Sequence, residues 1–295
     1  MKVPMNVALL GTGLLGRAIA ERLQTVGHRV VAYNRTAAKA LPLQSLGVTV
    51  VGTPELAVAQ ADLIFLVLSD AAAIRSVLLS PACAAQIPGK TIVQMGTIGS
   101  RDSVTLQREV EQYGGTYCEA PVLGSSAEAR AGTLLVMVGA TGDQFARLNP
   151  LLRSLGRKPH LVGPPGKAAL LKLALNQLIA AEMSGFALSF GLVRQSEISI
   201  ETFMGILRES ALFASTFEKK LPRLLKHDYH QPNFSTRHLL KDVELISMEA
   251  SEHGLATNSL EGIKAILKTT IGQGLGDVDY SALYESVNPN ERAAG

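Results

Sequence analysis

The sequence predicts an α/β fold: a doubly wound, mostly parallel sheet, followed by an all-α domain joined through a long helix. Three observations carry that expectation. Short apolar runs alternate with helical patterns through the first half of the 295-residue chain. The first of those runs leads straight into Gly11-Thr12-Gly13-Leu14-Leu15-Gly16. After Gly163-Pro164-Pro165-Gly166 the pattern turns helical and holds no convincing strand. Such alternation marks a parallel sheet covered by crossover helices.

Taken in order, strands are expected at 6–10, 29–33, 48–51, 62–68, 91–95 and 116–119. One more follows at Leu134–Val138, before a helix around 142–155. The run Asp62–Leu68 is apolar on both faces, as suits a central strand buried between helices. It ends in Ser69-Asp70, a polar turn at the carboxyl edge, where open α/β sheets bind ligands. From Lys167 to about Ser196 one helix runs on, far beyond the mean of about 11–12 residues. Further helices are expected near 199–210, 212–225, 235–253 and 257–274, and the polar tail after Asn288 is expected to fray.

The long helix is apolar nearly all round, through Leu170, Leu171, Leu173, Leu175, Leu178, Ile179, Phe186, Leu188 and Phe190. One small all-α domain cannot cover such a surface. A homodimer or homotetramer is therefore expected, with residues 170–195 at or near the interface.

Length and a 47% hydrophobic content suit two domains, drawn at 1–163 and 164–295. A net charge of +3 without any lysine or arginine block gives no reason to expect nucleic acid as a partner. Lys172 and Glu182 interrupt the longest apolar segment, which argues against a membrane span. Two cysteines, Cys83 and Cys118, make no disulfide framework, and the chain enters its first strand without a signal peptide, so a cytoplasmic protein is expected. No metal site is expected.

Each glycine of the first turn has its own task. Gly11 permits the tight turn, Gly13 lets backbone approach a pyrophosphate, and Gly16 lets the helix pack on the strand. The helix start then offers N–H groups and a positive dipole end to phosphates. Thr12, Leu14 and Leu15 complete this loop. At the end of the second strand an NAD site wants an acid to accept from the ribose 2′-OH. This chain has Asn34-Arg35-Thr36 instead. Asn34 is neutral, Arg35 can pair with a 2′-phosphate through its planar fork, and Thr36 adds a hydroxyl. The expected cofactor is NADP(H).

Three further clusters bear on chemistry. In Glu119-Ala120-Pro121-Val122-Leu123-Gly124-Ser125, small residues after a proline-set turn expose backbone N–H groups that suit a carboxylate; alone it is only a loop. Lys172 and Asn176 are four apart and share one helix face. An isolated lysine in so apolar a helix would snorkel to water. Asn176, a poor helix former one turn on, points instead to a functional pair. His238-Leu239-Leu240-Lys241-Asp242 taken by itself reads as a solvated face.

Together these motifs resemble the β-hydroxyacid dehydrogenase family, which includes 3-hydroxyisobutyrate dehydrogenases and the tartronate-semialdehyde and glyoxylate/succinic-semialdehyde reductases. The glycine loop, the Glu119–Ser125 run, Gly166-x-Ala168-Ala169-x-x-Lys172-x-x-x-Asn176 and the Lys241-Asp242 pair match its four ordered motifs. The resemblance implies a Rossmann-type cofactor domain and an all-α substrate domain. It implies Lys172 as catalytic acid/base with Asn176 as orienting partner, and Leu123, Gly124 and Ser125 around the substrate carboxylate. Leu68, Ser69, Thr97 and Lys241 would line the cofactor, and Asp242 the substrate. The activity implied is NADPH-dependent reduction of small aldehyde or keto acids, of the glyoxylate or succinic semialdehyde type. A 3-hydroxyisobutyrate-type oxidation and a non-catalytic NADP(H)-binding sensor are the alternatives; Lys172 argues against imine reduction. Two departures make the pocket less polar: Leu123 and Gly96 stand where the family usually has serine.

Overall fold

The structure, a computed structural model, describes residues 4–289; the tail beyond Pro289 lies outside them. By packing it divides into two compact units, the first ending at Lys172 and the second starting at Leu173, inside the long helix.

In the first unit, β1 (Asn6–Leu10), β2 (Arg29–Tyr33), β3 (Thr49–Val50), β4 (Leu63–Leu66), β5 (Thr91–Gln94) and β6 (Thr116–Glu119) run parallel, in the order β3-β2-β1-β4-β5-β6. The sheet continues through β8 (Leu135–Gly139), antiparallel to β6 and to the two-residue β7 (Val122–Leu123), and β9 (His160–Gly163) pairs parallel with β8. Neither β7 nor β9 is expected from the sequence, because runs this short carry no periodicity. The helices are α1 (Leu14–Thr25), α2 (Pro54–Ala59), α3 (Ala71–Leu78), α4 (Pro81–Ala84), α5 (Ser100–Gln112), α6 (Ser126–Ala131) and α7 (Gly142–Leu152).

Alternation along each strand sorts the core into two layers, since successive side chains point to opposite faces. Val7, Leu9, Phe65, Val93 and Cys118 pack with Ile19 and Leu23 of α1, Ala129 of α6 and Leu148 and Leu152 of α7. Ala8, Leu10, Ile64, Leu66, Ile92 and Tyr117 pack with α2 to α5 through Val58, Ile74, Leu78, Cys83, Leu106 and Val110. Cys83 and Cys118 are free and buried. Burial pushes both thiols up to about 12, so neither is a nucleophile at neutral pH.

The helix α8 (Lys167–Gln195) leads into α9 (Ile200–Glu209), α10 (Ser215–Lys226), α11 (Thr236–Glu252), α12 (Asn258–Thr270) and α13 (Leu283–Val287). The helix expected to reach 274 stops being α-helical at Thr270 and ends in a π-type turn over Ile271–Leu275, where Gly274 has φ +83°. The second unit builds its own core around α8 through Leu173, Ala180, Met183, Phe186, Ala187 and Phe190. Phe186 stacks on Phe217 of α10 at 4.6 Å between ring centroids. By length and composition alone α8 could cross a membrane. Its residues Ala180, Met183, Phe186, Ala187 and Phe190 line a protein core. The opposite stripe of the helix is uncovered in the single chain: Leu178, Leu188 and Leu192 are 53%, 64% and 67% exposed.

Candidate active site

The parallel strand order reverses between β1 and β4, and the loops leaving these two strands at their carboxyl ends form the crevice where doubly wound sheets bind ligands. Gly11 takes φ +102°, a conformation that strains any side chain. A Cβ there would overlap the Val67 carbonyl of the β4 loop, and one at Gly16 would overlap the Gly11 carbonyl. The β1–α1 turn is therefore packed backbone on backbone. Gly13 differs: a Cβ there would meet nothing within 4 Å, so the space beside it is open. No side chain caps α1 at Gly13, and the N–H groups of Leu14, Leu15 and Gly16 are left for an anion. The buried Thr12 hydroxyl also lacks a hydrogen-bond partner among the described residues. Open space, an uncapped helix start and an orphaned hydroxyl together fit a dinucleotide pyrophosphate.

The end of β2 is tied to this loop. Thr12 N–H donates to Asn34 Oδ1 at 2.9 Å, and Asn34 Nδ2 donates to the Thr36 carbonyl at 3.0 Å. Asn34 thus sets the loop against the strand end, while Arg35 and Thr36 are exposed beside it. Leu68 is half-buried and Ser69 exposed at the end of β4; Ser69 Oγ donates to Asp70 Oδ2 at 2.7 Å, and Asp70 caps α3. Gly96 has a packing reason to replace the expected serine. A Cβ there would overlap the Leu68 carbonyl, so the β4 and β5 loops touch through backbone and set half-buried Thr97 next to that contact.

The loop after β6 departs from expectation at Ser125. Gly124 takes φ +129° and Ser125 caps α6. Ser125 N–H donates to Glu128 Oε2 at 2.8 Å, and its hydroxyl donates to the same oxygen. Both Ser125 donors are thus engaged in a capping box that the spacing Ser125-x-x-Glu128 encodes. Ser126 Oγ donates to the Leu14 carbonyl at 3.1 Å, which links this loop to the start of α1. Leu123 is half-buried on β7.

On α8, Lys172 is 8% exposed and Asn176 2% exposed, so the lysine does not snorkel. Asn176 Nδ2 donates to Asp242 Oδ2 at 2.6 Å, and Lys241 Nζ pairs with Asp242 Oδ1 at 2.9 Å. The solvated-face reading of 238–242 is thereby corrected. Asp242 is 1% exposed; one of its oxygens accepts from the Asn176 amide and the other is ion-paired with the Lys241 ammonium, which offsets the loss of water. Burial, with the Lys241 ammonium adding to it, holds the His238 imidazole below its ordinary range. It is neutral at pH 7, with Nδ1 2.6 Å from Ser235 Oγ.

The sequence reading missed two polar groups near these elements, Gln94 and Ser103, and quoted a third, Glu119, without giving it a role. Glu119 is buried at the end of β6, with Oε1 accepting from the Ala168 and Ala169 N–H groups and Oε2 from Ser103 Oγ. Gln94, its parallel neighbour on β5, is buried with neither amide atom partnered among the described residues. Only a polar residue ending an apolar strand would have signalled Gln94, and nothing local signals Ser103.

The first unit carries a glycine-turn crevice at a strand-order reversal, and α8 carries a buried lysine and asparagine; these are the features of a nicotinamide-dependent oxidoreductase of the hydroxyacid dehydrogenase class, acting on CH–OH groups. Residues 6–163 match the family model for the NAD binding domain of 6-phosphogluconate dehydrogenase. Residues 166–287 match the model for NAD-binding of NADP-dependent 3-hydroxyisobutyrate dehydrogenase. The chain belongs to the β-hydroxyacid dehydrogenase family. Among its relatives is glyoxylate/succinic semialdehyde reductase 1 of Arabidopsis thaliana, 28% identical over 96% of this chain and 98% of the relative. Another is 2-hydroxy-3-oxopropionate reductase of Escherichia coli, 30% identical over 96% of this chain and 97% of the relative. The fold is shared with Mycobacterium tuberculosis 3-hydroxyisobutyrate dehydrogenase at a TM-score of 0.85 and 22% identity, covering 97% of this chain and 99% of that one.

Proposed function

We propose that the protein is an NADPH-dependent reductase of small aldehyde or keto acids of the glyoxylate or succinic semialdehyde type. The observation that carries this reading is the buried Lys172–Asn176 pair on a mostly apolar helix, with the asparagine amide held by Asp242. NADPH held by the β1–α1 turn and the end of β2 would supply the hydride for reduction of a carbonyl. The alkoxide that results needs a proton, and Lys172 Nζ both stabilises the developing charge and gives that proton. Asn176 is the orienting partner of Lys172: its Nδ2 is committed to Asp242, which leaves Oδ1 as the end that can accept from an ammonium one turn away. Alcohol oxidation runs the same steps backward, with neutral Lys172 as base. Leu123 makes the carboxylate pocket less polar, and the Ser125 donors serve α6, so binding of the acid group rests more on backbone N–H groups and cations.

The NADPH preference rests on Arg35 and on the absence of an acid at position 34. Charge-assisted hydrogen bonds to a 2′-phosphate are worth about 1.5–3 kcal/mol. Arg35→Ala with Asn34→Asp should therefore shift the NADPH/NADH ratio of kcat/KM by roughly 10- to 100-fold toward NADH. Aspartate keeps the acceptor for Thr12 N–H and gives up the donation to the Thr36 carbonyl, so the tie between the glycine loop and the strand end is retained. Initial rates with glyoxylate, succinic, methylmalonate and tartronate semialdehydes and both cofactors test the whole reading. An unmodified protein that favours NADH, or that turns over none of these acids, contradicts it.

The uncovered stripe Leu178, Leu188 and Leu192 supports assembly as a homodimer or homotetramer through α8. Light scattering at micromolar concentration should give at least a dimer, and Leu188→Glu with Leu192→Glu should give a monomer. A monomeric parent protein rules the assembly out.

A further inference from the structure

Glu119 places a carboxylate, 1% exposed, at the carboxyl end of β6. Its Oε1 accepts from Ala168 N–H at 2.7 Å and Ala169 N–H at 3.1 Å. These are first-turn donors of α8, which begins at Lys167 and would otherwise leave them without a helical acceptor. Oε2 accepts from Ser103 Oγ on α5. With that proton committed, Tyr117 OH is the donor in its 2.9 Å contact with Ser103 Oγ. Burial holds the Tyr117 phenol far above its ordinary range, so it stays a donor. The carboxylate also has no slack on its far side. Gly139 of β8 lies opposite Glu119 in register, and a Cβ there would overlap Oε1.

A strand end, two helices and a neighbouring strand thus converge on one carboxylate. It holds the first turn of α8 from the side, where a residue preceding the helix would ordinarily cap it. Lys172 stands four residues after Ala168 and three after Ala169, on the next turn of the same face. Any slide or rotation of that first turn is passed to Lys172 unchanged, because the helix is rigid over one turn.

We propose that Glu119 is a positioning residue for catalysis: by clamping the Ala168 and Ala169 N–H groups it sets the height and rotation of α8, and so the place of the Lys172 ammonium. The proposal rests on Lys172 as proton donor. Misplacement of a reacting group by about 1 Å costs on the order of 10²-fold in rate. Glu119→Asp, one methylene shorter, cannot reach both the helix and Ser103. It should lower kcat by roughly 10²-fold and leave the KM for NADPH within about three-fold, because the glycine loop is untouched. Glu119→Gln should restore kcat to within roughly five-fold of the parent, well short of the misplacement penalty. Its amide oxygen can accept from both N–H groups while its NH₂ donates to Ser103 Oγ.

Gly139→Ala approaches the same clamp from the other side and should reproduce the kcat loss of Glu119→Asp. In a Glu119→Ala background the methyl has room, and adding Gly139→Ala should cost no further rate; this non-additivity marks a shared contact. Should Glu119→Ala fail to fold, the single variants Asp, Gln and Gly139→Ala decide the question. Measured beside Lys172→Ala, the outcomes separate. If Lys172→Ala is inactive while Glu119→Asp and Gly139→Ala keep parental kcat, the positioning role is overturned and the proton donor stands. If Glu119→Gln falls as far as Glu119→Asp, hydrogen-bonded positioning is likewise overturned. If Lys172→Ala keeps turnover, the assignment of the donor fails and the clamp's catalytic role with it.

Discussion

Replacement of Lys172 by alanine is expected to lower kcat by about 10²–10⁴-fold, the usual cost of losing a positioned general acid. Loss of charge stabilisation at the alkoxide in a closed site adds to that figure. NADPH affinity should stay within a few-fold, since the groups fitted to the dinucleotide are the β1–α1 turn and the β2 end. Lys172→Arg should not rescue: guanidinium keeps the charge but gives up no proton near neutral pH. The fold should tolerate both changes. Lys172 is 8% exposed, and removing a charge from such a place takes away a desolvation cost along with an interaction. Single-turnover rates beside the NADPH Kd of each variant make the comparison. Turnover within a few-fold of the parent in Lys172→Ala would mean that the proton comes from elsewhere.

How much of this was legible in the sequence depends on whether the determining contact is local. The glycine turn was readable in full, because each glycine answers to a constraint within a few residues: φ +102° at Gly11, open space at Gly13, backbone approach at Gly16. Lys172 and Asn176 were readable for the same reason, being one helical turn apart. Asp242 was not. Its partner Asn176 lies 66 residues away, and next to Lys241 it looks like any surface pair until the helices pack. The buried ion pair of Lys220 and Asp279, 2.8 Å apart, is 59 residues apart in sequence and equally silent. Ser103 and Glu119 belong with these, since a strand end and a helix face meet only in the folded sheet. Ser125 is the instructive exception. Its local spacing to Glu128 spells a helix cap, and that cap is formed in the structure. Resemblance carried the motif, whereas local geometry says how this chain uses it.

The second large effect belongs to Asp242, the acceptor on which Asn176 depends. Asp242→Ala removes the partner of the Asn176 amide at 2.6 Å and of the Lys241 ammonium at 2.9 Å, and leaves both donors facing a cavity. Breaking a buried pair from one side costs about 3–5 kcal/mol. The Lys241 side chain is 26% exposed and can turn toward water, which puts the loss at the low end, about 3 kcal/mol. For a protein of this size that corresponds to a fall in Tm of roughly 6–12 °C. The catalytic cost should come separately, through Asn176, whose amide loses the bond that fixes its orientation. Asp242→Asn distinguishes the two contributions. The new amide oxygen still accepts from Asn176 Nδ2, so kcat should recover toward the parent. The Lys241 ion pair does not return, so Tm should stay depressed. If both variants lose Tm and kcat in step, Asp242 acts on the site only by holding the helices together. A parental Tm in Asp242→Ala would show instead that the buried cluster contributes nothing to stability, and that its residues meet for the sake of the reaction alone.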